Sequence, residues 1–450
     1  MNPLTHLFET QFRPEIKVLV LGDLILDEYL FGEVDRISPE APIPIVHLQT
    51  QEDFRLGGAA NVALNLSSLG TQVMLMGGIG PDLQGEILKK LLLQKKVGHH
   101  LISFNRPTTW KRRVLGQNKQ MLRIDKENSQ PITREEETAL KLACLQELPQ
   151  VQLVILSDYG KGLLTPSFLQ FIIQESRQRQ LKVLVDPKGK NYQKYEGASV
   201  ITPNKKEAEE ATLMSIDPQK KQELELCAQK LMEMAHLEAT IITLGKEGVC
   251  LKERHQEFFM SPARARSVYD ITGAGDTFIA CLGYALANQY SYLDAVKLAN
   301  IAAGIKVAKQ GTKEVTRDEI LAELQQKSFF AKKIFKHPLL LQEPLQTTSN
   351  ATFVLLKQNI ITLEMIRFFQ NLPGDSLGIV LWKSSETDTE PEKNAELFAA
   401  LEIIHWVTFT HSLDPLYSLK IQHIYYQENL LLPQNLPEFW TPFSLASTIA

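Results

Sequence analysis

The sequence predicts an α/β protein built on a doubly wound, mostly parallel sheet. Five short apolar runs carry that expectation: KVLVLGD (17–23), LVILSDYG (153–160), KVLVDP (182–187), SVITPN (199–204) and TIITLG (240–245). Each is continuous rather than alternating, as strands buried on both faces are. Longer stretches with helical spacing separate them, the pattern of a parallel sheet covered by helices. Each run also closes in glycine or a polar residue, and open sheets of this kind bind ligands beyond the carboxyl ends of their strands. Asp23, Asp158, Asp186 and Asn204 are therefore expected along one rim.

At 450 residues the chain is too long for one ordinary core, so more than one domain is expected. With 44% hydrophobic and 22% charged residues it reads as soluble and globular. A formal net charge of −4 supplies no overall field for nucleic acid or for an anionic membrane, and neither is expected as a partner. Cys144, Cys227, Cys250 and Cys281 are scattered, with no CxxC pair or His cluster, which argues for buried thiols in a reducing compartment. Glu9 and Glu15 precede the first apolar run, which Gly22 and Asp23 end, so this is a strand and not a signal peptide or membrane span. A cytoplasmic protein is expected.

Along the chain, DEYLFGEVDRISPEAPIPIVHLQT (27–50) and TTWKRRVLGQNKQMLRIDKE (108–127) break the core pattern with polar alternation, prolines and charges. They predict a small separate β-sheet, a lid over the rim, with strands roughly at 27–48 and 105–126. Between them GGAANVA (57–63) offers two glycines for close backbone approach and Asn61, both donor and acceptor for ligand hydroxyls. The same residues also suit tight helix packing through small side chains. Further on, residues 325–350 shift to Lys, Gln, Pro, Ser and Thr, which sets a first domain at 1–328, a linker at 329–350 and a second domain at 351–450.

The most informative stretch is DITGAGDTFIA (270–280). Glycines at a helix start leave backbone N–H groups uncovered, and with the helix dipole these form an anion site. A carboxylate there, Asp276, is wrong for binding an anion alone. It suits anion transfer, in which the amides stabilise a phosphoryl group while the carboxylate takes the proton of an attacking hydroxyl. No GxxxxGK[ST] loop is present for nucleotide phosphates. Taken alone, the stretch is equally a glycine turn capping a helix.

GGAANVALNLSSLG and DITGAGDTF together resemble the two signatures of the ribokinase-like carbohydrate kinases, in that family's order and separation. TPNKKEAEE is similar to its Asn-x-x-Glu element, TLGKEG to its nucleotide-side loop, and the likeness runs from about Ile16 to Leu324. RISPEAP, LRIDKE, LSDYGKG and VDPKGKNYQKYEGASVITPN resemble one branch, the kinase half of the bifunctional enzymes that make ADP-heptose for lipopolysaccharide core. The resemblance implies ATP and Mg²⁺ as cofactors and phosphorylation of D-glycero-β-D-manno-heptose 7-phosphate at its anomeric oxygen. It implies Asp276 as base with Gly273, Ala274 and Gly275 as the anion hole. Asn204 and Glu207 would organise Mg²⁺ through water, and Asn204, Thr243, Gly245, Gly248, Asp270 and Asn300 would face the nucleotide. Asp27, Gly57, Gly58 and Asn61 would meet sugar hydroxyls. Lys111, Arg113, Arg123 and Lys161 are the candidates for the 7-phosphate, Lys188 and Lys190 remaining undecided, with a solvated charged face as the alternative for each.

The last hundred residues depart from that branch. Where it keeps Gly-x-Phe-Asp and His-x-Gly-His elements, this chain has Val354, Leu355, Leu356 and Lys357, then Ile360, Ile361, Thr362 and Leu363. His405 and His411 lie too far along to replace the missing pair. LGIVLW and NAELFAALEIIHWVTF keep strand and helix patterns, so a degenerate, inactive nucleotidyltransferase-like domain of Rossmann type is expected. A homodimer and a separate adenylyltransferase complete the expectation. The alternatives are a non-catalytic scaffold in which both halves have decayed, and a kinase for another sugar such as fructose or ribose.

Overall fold

The computed structural model describes residues 3–116, 119–263, 270–309, 313–335, 351–356, 363–373 and 376–382, and, beyond them, 395, 398–399, 401, 404–410, 416, 423–427 and 440–443. They fall into two compact units, residues 6–321 and residues 322–450 with the first five residues.

The larger unit is built on a nine-stranded sheet. Its spatial order is β13 (Phe259–Ser261), β12 (Val249–Glu253), β11 (Ala239–Thr243), β10 (Val200–Ile201), β9 (Lys182–Asp186), β8 (Leu153–Ser157), β1 (Lys17–Gly22), β4 (Gln72–Ile79) and β5 (Gly98–Ser103). All neighbours run parallel except β11 with β12 and β12 with β13. The five runs anticipated from sequence are β1, β8, β9, β10 and β11, and β8 is buried along its whole length. Burial on both faces selects the branched and apolar residues found there. Strand β1 sits between β4, which follows it through the lid, and β8, which comes later in the chain. The order reverses there, and the site lies beyond this switch point.

A second sheet of four strands, in the order β3 (Pro44–Gly58), β2 (Leu24–Ile37), β6 (Thr109–Gly116) and β7 (Lys119–Lys126), is the small separate sheet that the sequence suggested as a lid. Strand β3 runs directly into the helix Ala59–Ser68 through Gly57 and Gly58. Both glycines there are closely approached, and Gly58 is fixed by its backbone as well. A Cβ on Gly57 would sit 2.2 Å from Asp27 Oδ2, and Gly58 has φ +59° with the Asp23 carbonyl 2.4 Å from where its Cβ would be.

The smaller unit has six parallel strands in the order β14 (Ile334–Phe335), β17 (Ile404–Thr410), β16 (Ser376–Trp382), β15 (Ala351–Leu356), β18 (His423–Gln427) and β19 (Trp440–Phe443). This is again an open doubly wound order, changing direction at β15. The stretch 329–350, expected as a linker, begins otherwise: the helix Arg317–Lys333 runs into it, and β14 pairs with β17. The Lys-rich composition that suggested a linker is also that of a good helix former. Val354, Leu355 and Leu356 are fully buried in β15, and Leu363 opens the helix Leu363–Gln370. Lys357, Ile360, Ile361, Thr362 and His411 lie outside the described residues. His405 is exposed on β17, and its Nδ1 accepts from the Leu377 amide at 3.2 Å.

Candidate active site

The site is assembled from two helices that pack together through small residues. Ala59 to Leu66 are buried on the first, and Asp276 to Ala287 on the second, Ala274–Ala287. This packing places Asn61 against Asp276, 215 residues apart in sequence, with the Asn61 amide donating to Asp276 Oδ2. Behind it runs a buried chain. Thr277 donates to Asn65 Oδ1 at 2.9 Å, and Asn65 donates to the Asn61 carbonyl at 2.8 Å and to its side-chain oxygen at 3.2 Å. Neither Asn65 nor Thr277 was marked out by the sequence, although both lie inside the two motifs.

Gly273 caps the second helix in the left-handed region, φ +74°, and a Cβ there would lie 2.9 Å from Asn61 Nδ2. Glycine is thus fixed by both backbone and neighbour. The Ala274 amide donates to the Ile271 carbonyl at 3.2 Å, which removes it from the expected anion hole. The amides of Gly275 and Asp276 remain as first-turn donors, unpaired within the helix as such groups are. Asp270 holds the entering turn by accepting from the Thr272 amide at 2.9 Å.

Asp276 is 7% exposed. Burial pushes its carboxyl above the ordinary range, opposed by hydrogen bonds from Tyr159 and Asn61 and by the Lys306 ammonium, while Asp27 adds to the rise. The Tyr159 hydroxyl donates to Asp276 Oδ1 at 2.6 Å. Tyr159 is held in a loop that Asp23 braces from below, accepting the amides of Tyr159, Lys161 and Leu163 at 3.1, 2.9 and 3.3 Å. Asp23 thus stands on the rim just past β1, as expected, with its carboxylate engaged by the loop amides.

Asp276, Gly273 and Gly275 line a cavity of about 230 Å³ together with Asp158, Asp186, Lys188, Asn204, Glu207 and Thr243, among others. Asp158 is matched by Lys194 at 2.7 Å and the Tyr195 hydroxyl at 2.6 Å. Asp186 makes no side-chain hydrogen bond among the described residues. Burial and the neighbouring Asp276 and Glu207 carboxylates push it well above its ordinary range. Asn204 and Glu207 form a capping box on the helix Lys205–Thr212, and Glu207 also meets Lys188 at 2.8 Å. The Asn-x-x-Glu spacing is thus that of a helix cap, with both side chains still on the cavity wall. No three His, Cys, Asp or Glu side chains among the described residues converge closely enough to hold a metal directly.

The remaining candidates divide. Gly245 (φ +62°) and Gly248 (φ +104°) shape the tight turn after β11, and a Cβ on Gly248 would meet the Ser261 carbonyl at 2.0 Å. The Asn300 amide donates to Ser261 and to the Pro262 carbonyl at 3.0 and 2.8 Å, which ties helix to strand and leaves it off the cavity wall. On the lid side Arg113 pairs with Asp27, Arg123 with Asp125 at 3.0 Å and Lys161 with Glu127 at 2.7 Å. The Lys111 ammonium, half-buried, makes no ion pair or hydrogen bond with any described residue. Burial lowers its ammonium below the usual range, with Lys161 and Arg123 adding to the effect and Asp27 and Asp125 opposing it.

Residues 16–319 match the pfkB family carbohydrate kinases. Bifunctional protein HldE of Desulfatibacillum aliphaticivorans is 45% identical over 322 residues, 71% of this chain and 65% of that protein. Bifunctional protein HldE of Methylobacillus flagellatus is 44% identical over 311 residues, 68% of this chain and 63% of that protein. The chain thus matches slightly under two thirds of the length of these relatives. Among solved structures, phosphofructokinase-2 from Escherichia coli superposes with a TM-score of 0.57 at 19% identity, covering 69% of this chain and 99% of the other. Arabidopsis thaliana ribokinase complexed with ribose and ATP gives 0.55 at 19%, with the same coverages. The latter two likenesses establish the ribokinase-like fold of the larger unit. With the family match spanning 16–319, the chain belongs to the pfkB family of carbohydrate kinases.

Proposed function

We propose that the larger unit transfers the γ-phosphoryl group of ATP to the anomeric hydroxyl of D-glycero-β-D-manno-heptose 7-phosphate, giving heptose 1,7-bisphosphate and ADP. The observation that carries this reading is Asp276, a buried carboxylate at the start of a helix whose Gly275 and Asp276 amides are uncovered, between the lid-side residues and an acidic cavity. Asp276 takes the proton of the anomeric hydroxyl as its oxygen attacks the γ-phosphorus, and the bond to the bridging oxygen of ADP breaks. The two amides meet the charge on the transferred group. Asp27, Gly57, Gly58 and Asn61 position the sugar, Gly57 by leaving room for Asp27.

A polyphosphate would not enter a cavity walled by Asp186, Glu207 and Asp276 unaided, and this group of carboxylates, of which only Glu207 is ion-paired among the described residues, fits a divalent cation. Asn204, Glu207 and Asp186 would hold Mg²⁺ through water, and the ion would neutralise phosphate charge during transfer. Lys188 is then the cavity's cation for the nucleotide, and Thr243, Gly245, Gly248 and Asp270 shape its surroundings. For the 7-phosphate we favour Lys111, the one lid candidate with no partner among the described residues, with Lys161 and Arg123 nearby.

The heptose assignment rests on the branch resemblance of RISPEAP and the neighbouring motifs, and it is supported by the HldE relatives. The same reading makes the smaller unit inactive in adenylyl transfer, since buried Val354, Leu355 and Leu356 offer no side-chain donor. It also places the protein in the cytoplasm, where a separate adenylyltransferase would continue the sequence. No helix among the described residues is long and apolar enough to cross a membrane. Ile37, Leu48, Leu122 and Ile124, exposed on the lid strands, support a homodimer.

The test is to supply the full chain, ATP and Mg²⁺ with heptose 7-phosphate, unphosphorylated heptose, ribose and fructose, following products by phosphorus NMR and mass. Heptose 7-phosphate should be much the best acceptor, because the half-buried Lys111 ammonium left unpaired penalises a ligand without the anion. Ribose used equally well would overturn the assignment. Formation of ADP-heptose and pyrophosphate from heptose 1-phosphate would show that the smaller unit is active.

A further inference from the structure

We propose that Tyr159 is a positioning residue for phosphoryl transfer, its phenol fixing the Asp276 carboxylate in the orientation that receives the sugar proton. This rests on Asp276 being the base. The family's two signatures do not contain Tyr159; it comes from the loop after β8 and reaches Asp276 across 117 residues of sequence.

The placement is built independently of the hydroxyl. Asp23 takes three alternate amides of the loop, at Tyr159, Lys161 and Leu163, and Asp158 Oδ1 takes the Gly160 amide at 2.8 Å. Gly160 and Gly162 turn the chain with φ +65° and +86°, and a Cβ on Gly162 would lie 2.0 Å from the Gln130 carbonyl. The backbone of Tyr159 is thus held from below, and its hydroxyl arrives 2.6 Å from Oδ1 while Asn61 holds Oδ2. One donor per oxygen fixes the carboxylate plane and leaves each oxygen lone-pair capacity for the substrate proton.

The charged groups around Asp276 explain why such a donor is needed. Asp27 from β2 and Asp186 from β9 oppose its negative charge, and the Lys306 ammonium from the helix Tyr292–Val307 favours it. Lys306 is itself engaged with the Lys313 carbonyl at 2.9 Å. Hydrogen bonds from Tyr159 and Asn61 therefore carry much of the work of keeping the carboxylate ionised. Burial and the Asp276 charge push the Tyr159 phenol well above its usual range, so it stays a donor throughout the working pH.

The experiment is Tyr159→Phe in the full chain, with kcat and KM for heptose 7-phosphate measured across pH. The ring and the Asp23 brace remain, so the fold should persist. Losing one hydrogen bond to a charged group should move the acid limb of kcat upward by about 1 to 2 pH units. On the acid side kcat should then fall about tenfold to a hundredfold, with the sugar KM little changed. A uniform loss of kcat with the limb unmoved, or a rise confined to KM, would overturn the proposal. Asp276→Asn, run in parallel, separates the two claims: if it retains turnover the base is wrong, whereas an inactive Asp276→Asn beside an unshifted Tyr159→Phe limb refutes Tyr159 alone.

Discussion

Replacing Asp276 by Asn should abolish chemistry without weakening the fold, and the structure supplies both halves of that expectation. Losing a general base costs about 10²- to 10⁴-fold in kcat. Stability follows from the environment. The Asp276 carboxyl is raised above its unfolded value by burial, so ionising it costs folding free energy. That cost is present above the folded value and is relieved as pH falls through it, and an amide side chain never incurs it. The hydrogen bonds survive the change. The oxygen of the introduced amide can accept from Asn61, and its NH₂ can donate to Tyr159, because a phenol is both donor and acceptor. The melting temperature at neutral pH should therefore match or exceed that of the wild type, and ATP binding should persist. ADP release under saturating ATP and sugar phosphate, together with calorimetric melting, checks both. Turnover within severalfold of wild type would remove Asp276 as the base, while a melting point lowered by several degrees would mean that Tyr159 cannot exchange roles.

Gly273→Ala should cost about 1–2 kcal/mol from the left-handed backbone alone, a fall of a few degrees in melting temperature. Its Cβ would also press on Asn61, so kcat should fall more than stability predicts; an unchanged kcat would mean that Asn61 does not need its place. Lys111→Met should raise the KM for heptose 7-phosphate by about tenfold or more, the worth of a charge-assisted contact, and leave the KM for unphosphorylated heptose unchanged. Since Lys111 has no partner among the described residues and burial disfavours its charge, the fold should be unharmed; equal effects on both sugars would place the phosphate elsewhere.

The parts legible in sequence are those fixed by local pattern. Continuous apolar runs mark β1, β8, β9, β10 and β11 because burial on both faces leaves no other composition. Strand β5 carries GHHLIS and is only partly buried, so no such run announces it. Prolines and polar alternation disclose the lid strands, yet not that Asp27 would take Arg113, a pairing set by the parallel register of β2 on β6, where Asp27 faces Lys111 and Tyr29 faces Arg113. Charged residues show their type in sequence and their partners only in register. Asp23 shows the same limit: a polar residue ending a strand marks a rim, but whether it faces ligand or braces a loop depends on amides about 140 residues away.

The small-residue motifs explain why the site could be located at all. GGAANVA leaves two readings open, helix packing and ligand contact, and the structure shows the packing on which the proposed contact depends. Alanines 59, 60 and 63 let the helix Ala59–Ser68 close on the helix Ala274–Ala287, and only that closeness brings Asn61 within reach of Asp276. Gly273 completes the arrangement from the other side, since any side chain there would displace the same amide. Tyr159 has no such signature. Its loop contributes one hydroxyl, positioned by glycines and by a buried aspartate that holds the loop through backbone amides. A motif is readable where packing and chemistry constrain the same residues; where one scaffold residue holds another, the sequence shows a tyrosine and the structure must show what it holds.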